Sequence, residues 1–434
     1  MTSTSRELLH RLAVTQSSER LPSVVAAVAR DGATAWAAGR GAVNGTEPTA
    51  DTQYRIGSIS KTFVATLVMR MRDQGELRLD DTVGRYLPDV PVRDATIFHL
   101  LSHTSGLATE TPPPWWERSA GDLRPELDNL FWADPFRHPA GRRWHYSNTG
   151  YGVLGAIIGA IRGAGWFAVL QQEVLRPLEL TRTSYAPQPP YAPGWSVHPW
   201  ADVLLPEPET DTGLMAPAGQ LWSTATDLLR FAEVLHGRRD DVLRPDTVSE
   251  MQEPASGQAE LNAGYGLGVM SLRDGAATMY GHNGSMPGYV AALWVDPDQG
   301  LSVTACANST LAFPTVPMAI DIMRTVADRE PKLPPTWQPA AVEPPLLDVT
   351  GIWYRGAIPF AVRIVDDCLE MARFGGPAGP VRFCARADGT WVAVTPGYTN
   401  GEILQILRDV NGTPTTLDLG SILFARQPYG ELSG

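Results

Sequence analysis

Cysteine is rare in this 434-residue sequence, which contains only Cys306, Cys368 and Cys384. Three thiols cannot all pair within one chain, and a secreted disulfide scaffold carries more of them. We therefore expect buried thiols in a reducing compartment. Long apolar runs are also missing, since the longest, residues 152–161, is far shorter than the roughly 20 residues that cross a bilayer.

Export and nucleic-acid binding lack their signals too. Residues 1–7 have neither the basic start nor the apolar core of a signal peptide, so we expect a soluble, cytoplasmic protein with no membrane partner. The chain has 35 Lys and Arg against 47 Asp and Glu, a formal net charge of −12. Neutralising phosphates needs clustered basic residues, which are absent, so nucleic acid is excluded as a partner.

Proline, in contrast, is concentrated at one place. Residues 331–345 hold six prolines in fifteen positions, a density that helix interiors and central strands do not tolerate. With 43% hydrophobic and 19% charged residues, the rest of the chain is globular, and its length allows two or three domains. We therefore predict a domain of residues 1–330, a linker of residues 331–345 and a second domain of residues 346–434.

The two predicted domains differ in their hydrophobic patterns and turn residues. The first mixes helical stretches, such as residues 61–75, with short apolar strand candidates at residues 24–30 and 301–307. The second shows short alternating segments, such as residues 360–365 and 403–409, punctuated by Asx-Gly pairs. Such pairs are strong hairpin signals, so the second domain is predicted to be a small antiparallel β-barrel.

Three patterns that would indicate other chemistries are incomplete, because the neighbouring residues that each requires are missing. Residues 150–155 match G-x-G-x-x-G, but no buried strand precedes them, so the small residues are interpreted as helix-packing positions. His99 and His103 are four residues apart, yet no Glu follows His99 as a metalloprotease would require. No serine lies in the G-x-S-x-G elbow of α/β-hydrolases. We expect neither a cofactor nor a metal.

A Ser-x-x-Lys motif at Ser58 and Lys61 begins a predicted helix. Residues three apart share a helix face, so the Lys61 amine can reach the Ser58 hydroxyl. A serine in the first turn also lies at the positive end of the helix dipole, which favours developing negative charge. The motif predicts a nucleophile with a base, while a capped helix with a solvated lysine is the alternative.

Two later motifs strengthen the first interpretation. Tyr146 and Asn148 supply a phenol that can share or relay the serine proton and an amide that can hold a substrate. His282 and Gly284 supply a titratable side chain and a glycine that lets the backbone approach an acyl group. Each residue alone is readily explained by packing. In this order, together with Ser-x-x-Lys, they indicate acyl transfer through a serine.

This ordered set resembles the serine β-lactamase and penicillin-binding-protein superfamily, in its class C-like branch. Residues 97–107 and 217–231 also resemble stretches common in that branch. Over residues 20–330 the resemblance implies an α/β (α+β) domain with a central antiparallel sheet, helices on both faces and a helical subdomain. The C-terminal domain resembles the lipocalin-like domain that many members carry.

The resemblance also implies residue roles. Ser58 would be the acylated nucleophile, and Lys61 with Tyr146 would form the base system, the Tyr146 phenolate being stabilised by the nearby ammonium. Which of the two is the proximal base stays open. The backbone N–H groups of Ser58 and Ser285 would form the oxyanion hole, and Asn148 would orient the substrate amide.

One departure from the superfamily pattern bears on the substrate. His282-Asn283-Gly284 stands where class C β-lactamases carry K-T-G, so a permanent cation suited to a β-lactam carboxylate is missing. His282 would instead shape the site and add charge near the leaving group. We therefore rank β-lactamase and D,D-carboxypeptidase activity below other acyl transfers.

Several acyl transfers remain open. We favour a stand-alone thioesterase of the penicillin-binding-protein type that releases a nonribosomal peptide by head-to-tail macrocyclisation. Its substrate would be a peptidyl thioester, with a carrier-protein domain as a candidate partner. The alternative is a cytoplasmic esterase or D-amino-acid-specific peptidase or amidase acting on small esters or amides. A catalytically inactive binding protein is disfavoured by the intact motif residues.

Two further features suit a peptide substrate. Tryptophans could line a broad apolar pocket, although each could equally pack in the core; they are Trp115, Trp116, Trp132, Trp195, Trp200 and Trp222. The C-terminal domain is expected to help form the substrate entrance, with Arg355 and Arg426 meeting the polar ends of the peptide.

Overall fold

The structure, a computed structural model, describes residues 2–258, 263–275, 277–310, 315–334, 336–339, 344–377, 379–395 and 397–429. The chain divides into two compact units, Met1–Lys332 and Leu333–Gly434. The helices of the described residues are α1 Ser3–Ser18, α2 Ile59–Asp73, α3 Ile97–Leu101, α4 Asn148–Arg162, α5 Trp166–Leu170, α6 Ala216–Gly219, α7 Ala225–Leu235, α8 Pro245–Gln252, α9 Thr315–Arg329 and α10 Pro344–Leu347.

The first unit contains strands β1 Ser23–Arg30, β2 Ala33–Gly41, β3 Tyr54–Arg55, β4 Trp195–Val197, β5 Leu204–Pro206, β6 Trp222–Ser223, β7 Ser256–Gln258, β8 Ala263–Tyr265, β9 Met270–Asp274, β10 Ala277–Met286, β11 Tyr289–Asp296 and β12 Leu301–Ala307. Eight of them form an antiparallel sheet in the order β2-β1-β12-β11-β10-β9-β8-β7. Two small sheets, β3-β6 and β4-β5, complete the unit.

Helices cover both faces of the large sheet, as predicted. Along β1 the residues alternate between two cores, because successive strand side chains point to opposite faces. Val25 and Ala27 join the core that includes α2 and α7, whereas Val24 and Ala26 join the core that includes α1 and α9. β1 is consequently buried on both faces, which explains its nearly continuous apolar sequence.

Helix α2 carries the Ser-x-x-Lys motif and begins two residues before the predicted start. It ends ahead of Gly75, whose φ of +78° is a left-handed conformation that favours glycine. In α4, a Cβ added at Gly155 would lie 2.3 Å from the Pro217 side chain. At Gly152 the nearest atoms would be 3.0 Å away, so Gly152 and Gly155 serve close helix packing, as the sequence indicated.

The second unit is a closed antiparallel barrel, which confirms the predicted β-domain. Its strands are β13 Gly351–Arg355, β14 Ile358–Val365, β15 Cys368–Arg373, β16 Val381–Ala385, β17 Trp391–Ala393, β18 Ile403–Arg408, β19 Pro414–Leu419 and β20 Ile422–Ala425. Each strand pairs with its sequence neighbour, and β20 closes on β13, the up-and-down topology that lipocalins also have. The Asx-Gly pairs lie in the turns, with φ of +82° at Gly401 and +85° at Gly412.

The predicted linker differs from the structure in one detail. Within the predicted linker, residues 331–334 and 336–339 are without regular structure, but α10 begins at Pro344, because proline is tolerated in the first helical turn. The other linker positions lie outside the described residues.

Among the described residues no single helix is long and apolar enough to span a bilayer. One pair of helices, Asn148–Arg162 with Trp166–Leu175, has the length and composition of a span, but it is bent by 76°.

Candidate active site

Ser58 lies at the N-terminal end of α2, immediately after the short strand β3. Its side chain makes no capping hydrogen bond, so the hydroxyl is not committed to the helix. Gly57 before it has a φ of +52°, and a Cβ there would lie 2.5 Å from the backbone nitrogen of Ser285. Only glycine therefore allows β10 to approach the half-buried Ser58 this closely.

Lys61 lies one turn later and is fully buried. Its Nζ atom donates to the Ser58 hydroxyl at 3.0 Å and to the Ala218 carbonyl at 2.6 Å. Burial lowers the pKa of Lys61 to about 7, although the charges of Glu110 and Glu117 act in the opposite direction. Near neutral pH a large fraction of Lys61 is therefore an uncharged amine, which can accept the Ser58 proton.

Tyr146 completes the group around the nucleophile. The Lys61 Nζ atom lies 5.0 Å from the centre of its ring. Burial raises the pKa of the phenol above its usual value, and a hydrogen bond with Ser58 only partly offsets this. The raised pKa favours a neutral Tyr146 phenol, whereas the sequence led us to expect a phenolate stabilised by a nearby ammonium.

His103 holds Tyr146 in place, a role that the sequence did not reveal. Its Nδ1 atom accepts the backbone N–H of Ser147 at 3.1 Å, and its carbonyl accepts the backbone N–H of His145 at 2.8 Å. The His103 and Tyr146 ring centres are 4.1 Å apart. His103 thus contacts the phenol and both residues that flank it.

Asn148 is the first residue of α4 and is 7% exposed. Its Nδ2 atom donates to Glu110 at 2.8 Å, and the same carboxylate accepts the indole N–H of Trp116 at 2.5 Å. The amide is therefore held in one orientation by a residue of the preceding loop. Glu110 has no sequence pattern of its own that could have indicated this contact.

Glu117 adds a second acidic side chain near Lys61. Burial and the neighbouring Glu110 carboxylate raise the pKa of Glu117 to about 7, while the cations Lys61 and Arg55 act in the opposite direction. The site is thus lined by two carboxyl groups, of which one changes its charge near neutral pH. Both residues lie in the insert between α3 and α4.

The third motif lies on β10, and its backbone passes directly in front of the nucleophile. A Cβ at Gly284 would lie 1.8 Å from the Ile56 carbonyl and 3.3 Å from the Ser58 nitrogen, so no other residue fits. Together with the close approach of Ser285 to Gly57, this shows that the Ser58 and Ser285 backbones lie next to each other. Such a pair of N–H donors is what an oxyanion hole requires.

His282 is neutral in this structure, contrary to the charge expected from the sequence. Its Nδ1 atom contacts the Asn283 carbonyl at 2.6 Å, and since a carbonyl only accepts, Nδ1 carries the proton. Nε2 then accepts from the Tyr265 hydroxyl at 3.1 Å. Burial, with the nearby Lys61, lowers the pKa of His282 to about 3. The residue therefore shapes the site without supplying charge.

The six tryptophans do not form one pocket wall. Trp222 is buried in the core against Tyr289, at 5.1 Å between ring centres. Trp116 and Trp132 both donate to Glu110, the first to its carboxylate and the second to its carbonyl at 2.9 Å. Trp116 and Trp132 therefore lie beside the site, because both contact Glu110, which in turn contacts Asn148.

Arg426 is engaged within the barrel itself. Its guanidinium lies 3.9 Å from the centre of the Trp353 ring and donates to the carbonyls of Thr350 and Asp348. These contacts hold the guanidinium within the barrel, and the expected contact with a peptide stays a prediction. Within the described residues, no group of three or more His, Cys, Asp or Glu side chains could hold a metal ion.

Comparisons with known proteins match both units. The family model described as Beta-lactamase matches residues 9–327, and a Domain of unknown function (DUF7586) matches residues 342–426. Penicillin-binding protein 4 of Amycolatopsis lactamdurans is 29% identical over 307 residues, which cover 62% of this chain and 75% of that protein. Some other curated relatives are matched over about half of their own length.

The solved structures that are similar at 25% identity or more include those of two proteins. SurE has a TM-score of 0.62 and 25% identity, over 98% of this chain and 99% of its own, and it has also been solved with D-Leu. A D-stereospecific amidohydrolase from Streptomyces has a TM-score of 0.61 and 26% identity, over 76% of this chain and 99% of its own. The similarity to SurE includes the barrel, whereas the similarity to the amidohydrolase covers a share of the chain that corresponds to the first unit alone.

Proposed function

The chain belongs to the Beta-lactamase family and has its serine-hydrolase fold, and from this premise we propose that it transfers the acyl group of a peptidyl thioester through an ester on Ser58. The peptide's own amino group then attacks that ester and closes a ring. The observation that carries the proposal is the acidic lining of the site by Glu110 and Glu117, next to a neutral His282.

The first half of the reaction follows from the contacts of Ser58. The neutral Lys61 amine, at 3.0 Å, accepts the hydroxyl proton while the oxygen attacks the thioester carbonyl. The developing oxyanion is stabilised by the backbone N–H groups of Ser58 and Ser285. Tyr146, a neutral phenol, relays the proton from Lys61 toward the leaving group.

The second half requires an amine close to the ester. A protonated amino group is attracted by Glu110 and Glu117, and after losing its proton to the Lys61 and Tyr146 pair it becomes the nucleophile. A substrate carboxylate, in contrast, would meet two carboxyl groups and no cation at the third motif. This charge pattern supports an amine-bearing substrate over a β-lactam or a D,D-carboxypeptidase substrate.

Two comparisons support a D-configured acyl residue and the role of both units. The likeness to SurE extends over the barrel, and that protein has been solved with D-Leu. Penicillin-binding-protein-type thioesterases combine such a core with a lipocalin-like barrel. The proposal therefore includes a peptidyl carrier domain as the thioester donor and a reaction inside the cell.

A D-amino-acid amidase is the second candidate, because the same acidic pair suits the α-amino group of a single D-residue. The likeness to the D-stereospecific amidohydrolase supports it. In that case water, rather than an internal amine, would release the acyl group from Ser58.

The test uses a peptidyl thioester that ends in a D-residue and has a free N-terminal amine. A D-aminoacyl amide and a simple ester are assayed beside it, and products are identified by mass. Mostly cyclic product supports the cyclase, whereas linear acid only, with faster turnover of the amide, supports the amidase. Ser58→Ala is the control, and it should also lose labelling by a fluorophosphonate.

A further inference from the structure

The barrel places two of the three cysteines opposite each other on neighbouring strands. In the pairing of β15 with β16, Leu369 lies opposite Phe383 and Glu370 lies opposite Arg382. Extended by one residue along both strands, this register puts Cys368 opposite Cys384. Directly opposed residues of antiparallel strands project their side chains from the same face, so the two thiols are neighbours.

The backbone hydrogen bonds show which kind of pair this is. The Arg382 carbonyl accepts from the Val394 nitrogen at 2.9 Å, beyond the end of β17. Because backbone groups alternate in direction along a strand, Cys384 also bonds toward β17, and Phe383 bonds toward β15. Cys368 and Cys384 are therefore a non-hydrogen-bonded pair.

This geometry suits a disulfide without rearrangement of the backbone. In a non-hydrogen-bonded pair the Cα atoms are about 4.5 Å apart. Disulfides span Cα separations of roughly 4.4–6.8 Å, so the pair falls within that range.

The side-chain contacts agree with the register. Leu369 and Phe383 are fully buried in the barrel core, so the cysteines lie on the opposite face of their strands. The Cys368 thiol lies close to Cys384 and Arg382, and its proximity raises the pKa of both groups. Burial adds to the rise at Cys384. Cys384 is half-buried and thus partly open to a reagent.

We propose that Cys368 and Cys384 form a covalent modification site, which a disulfide oxidant such as glutathione disulfide converts into a cross-strand disulfide of the barrel. One protein thiolate attacks glutathione disulfide and releases one glutathione. The second protein thiolate attacks the mixed disulfide and releases the other glutathione. Two protein thiols are oxidised, one glutathione disulfide is reduced, and the two protons pass through solvent to the released thiolates.

Cys306 is the natural internal control. It lies on β12 in the first unit with its side chain fully buried, and burial raises the pKa of its thiol to about 12. A buried thiol of this kind reacts slowly, because the thiolate is the attacking species. The expectation of buried thiols is thus confirmed for Cys306 and Cys368, whereas Cys384 is half-buried.

The experiment incubates the full-length native protein with glutathione disulfide, blocks remaining thiols with N-ethylmaleimide and digests without reduction. Trypsin should leave residues 364–373 joined to residues 383–386, since Arg373 and Arg382 provide cleavage sites between the cysteines. The intact protein should lose two hydrogen atoms and take up one maleimide, at Cys306, once it is denatured. Reduction should then release two further thiols, those of Cys368 and Cys384, because the maleimide on Cys306 is a thioether that reductants do not cleave.

Variants make the assignment specific. Cys306→Ser should still give the linked peptides, whereas Cys368→Ser should stop at a single glutathione adduct on Cys384. Should these variants fold poorly, maleimide treatment of the wild-type protein before oxidation should block the link equally. The proposal is overturned if excess glutathione disulfide gives only unresolved glutathione adducts, a link to Cys306 or bonds between two chains.

Discussion

The Nδ1 atom of His103 accepts the backbone N–H of Ser147 at 3.1 Å, which ties the left-handed turn at His103, with φ of +56°, to the segment that presents Tyr146. A neutral ring is required, because Nδ1 must keep its lone pair. Burial, with Lys61 and His282 nearby, holds the pKa of His103 well below its usual value and so preserves this acceptor.

We predict that His103 acts as a positioning residue for Tyr146. His103→Gly tolerates the turn but removes the acceptor, and it should lower kcat by about 100-fold, the effect of a misplaced catalytic group. His103→Asn tolerates the same backbone conformation and offers a carbonyl oxygen, so it should recover most of the activity. KM should change little, whereas the thermal midpoint should fall in His103→Gly because the buried imidazole leaves a cavity. Equal loss of activity in both variants would contradict this role.

Site residues could be predicted from the sequence where they are close together in the chain. They could not be predicted where their contacts join distant segments. Ser58 and Lys61 are joined by helical spacing, so the motif could be predicted from residues three positions apart. The contacts of His103 with Ser147, and of Glu110 with Asn148, join loops about forty positions apart and leave no periodic pattern. The barrel was predictable because its turns carry Asx-Gly pairs.

Protonation states were the least predictable feature, because burial sets them. His282 was expected to contribute charge, yet its two nitrogens are partnered by Asn283 and Tyr265, and its side chain is buried. The opposition of Cys368 and Cys384 likewise depends on strand register, which their sixteen-residue separation does not reveal.

The pH dependence of acylation should report Lys61. The neutral amine is the active form, so kcat/KM should rise with pH and level off above the Lys61 pKa of about 7. Tyr146→Phe should lower kcat roughly 100-fold or more while leaving this ascending limb in place. The measurement is a pH profile of both proteins on a substrate without ionisable groups. A limb that disappears in Tyr146→Phe would make the tyrosine the base.

Acid should weaken the first unit through His236, which lies at the end of α7 with Nε2 at 2.9 Å from the Ser302 hydroxyl. Burial lowers its pKa to about 4. Between pH 6.5 and 4 the unfolded chain therefore binds a proton that the folded chain does not, and stability falls as the pH falls.

The matched variant is His236→Gln, which keeps a polar group but does not titrate. Between pH 7.5 and 4.5 its free energy of unfolding in urea should fall by about 2 kcal/mol less than that of the wild type. An equal fall in both proteins would place the acid sensitivity elsewhere.

The acidic lining should select substrates by the charge of their amino group. Glu117 is ionised above its pKa of about 7, so the preference for a free-amine peptidyl thioester over its N-acetyl form should grow as the pH rises through 7. Glu117→Gln removes the charge but keeps the shape, and it should reduce that preference roughly fivefold, about 1 kcal/mol for a half-buried ion pair.

Glu117 also raises the pKa of Lys61, so the ascending limb of the pH profile of Glu117→Gln should move to lower pH. The N-acetyl substrate is the control, since its kcat/KM at pH 8 should be nearly unchanged. If Glu117→Gln weakens both substrates alike, Glu117 supports the fold of the site and does not recognise the amine.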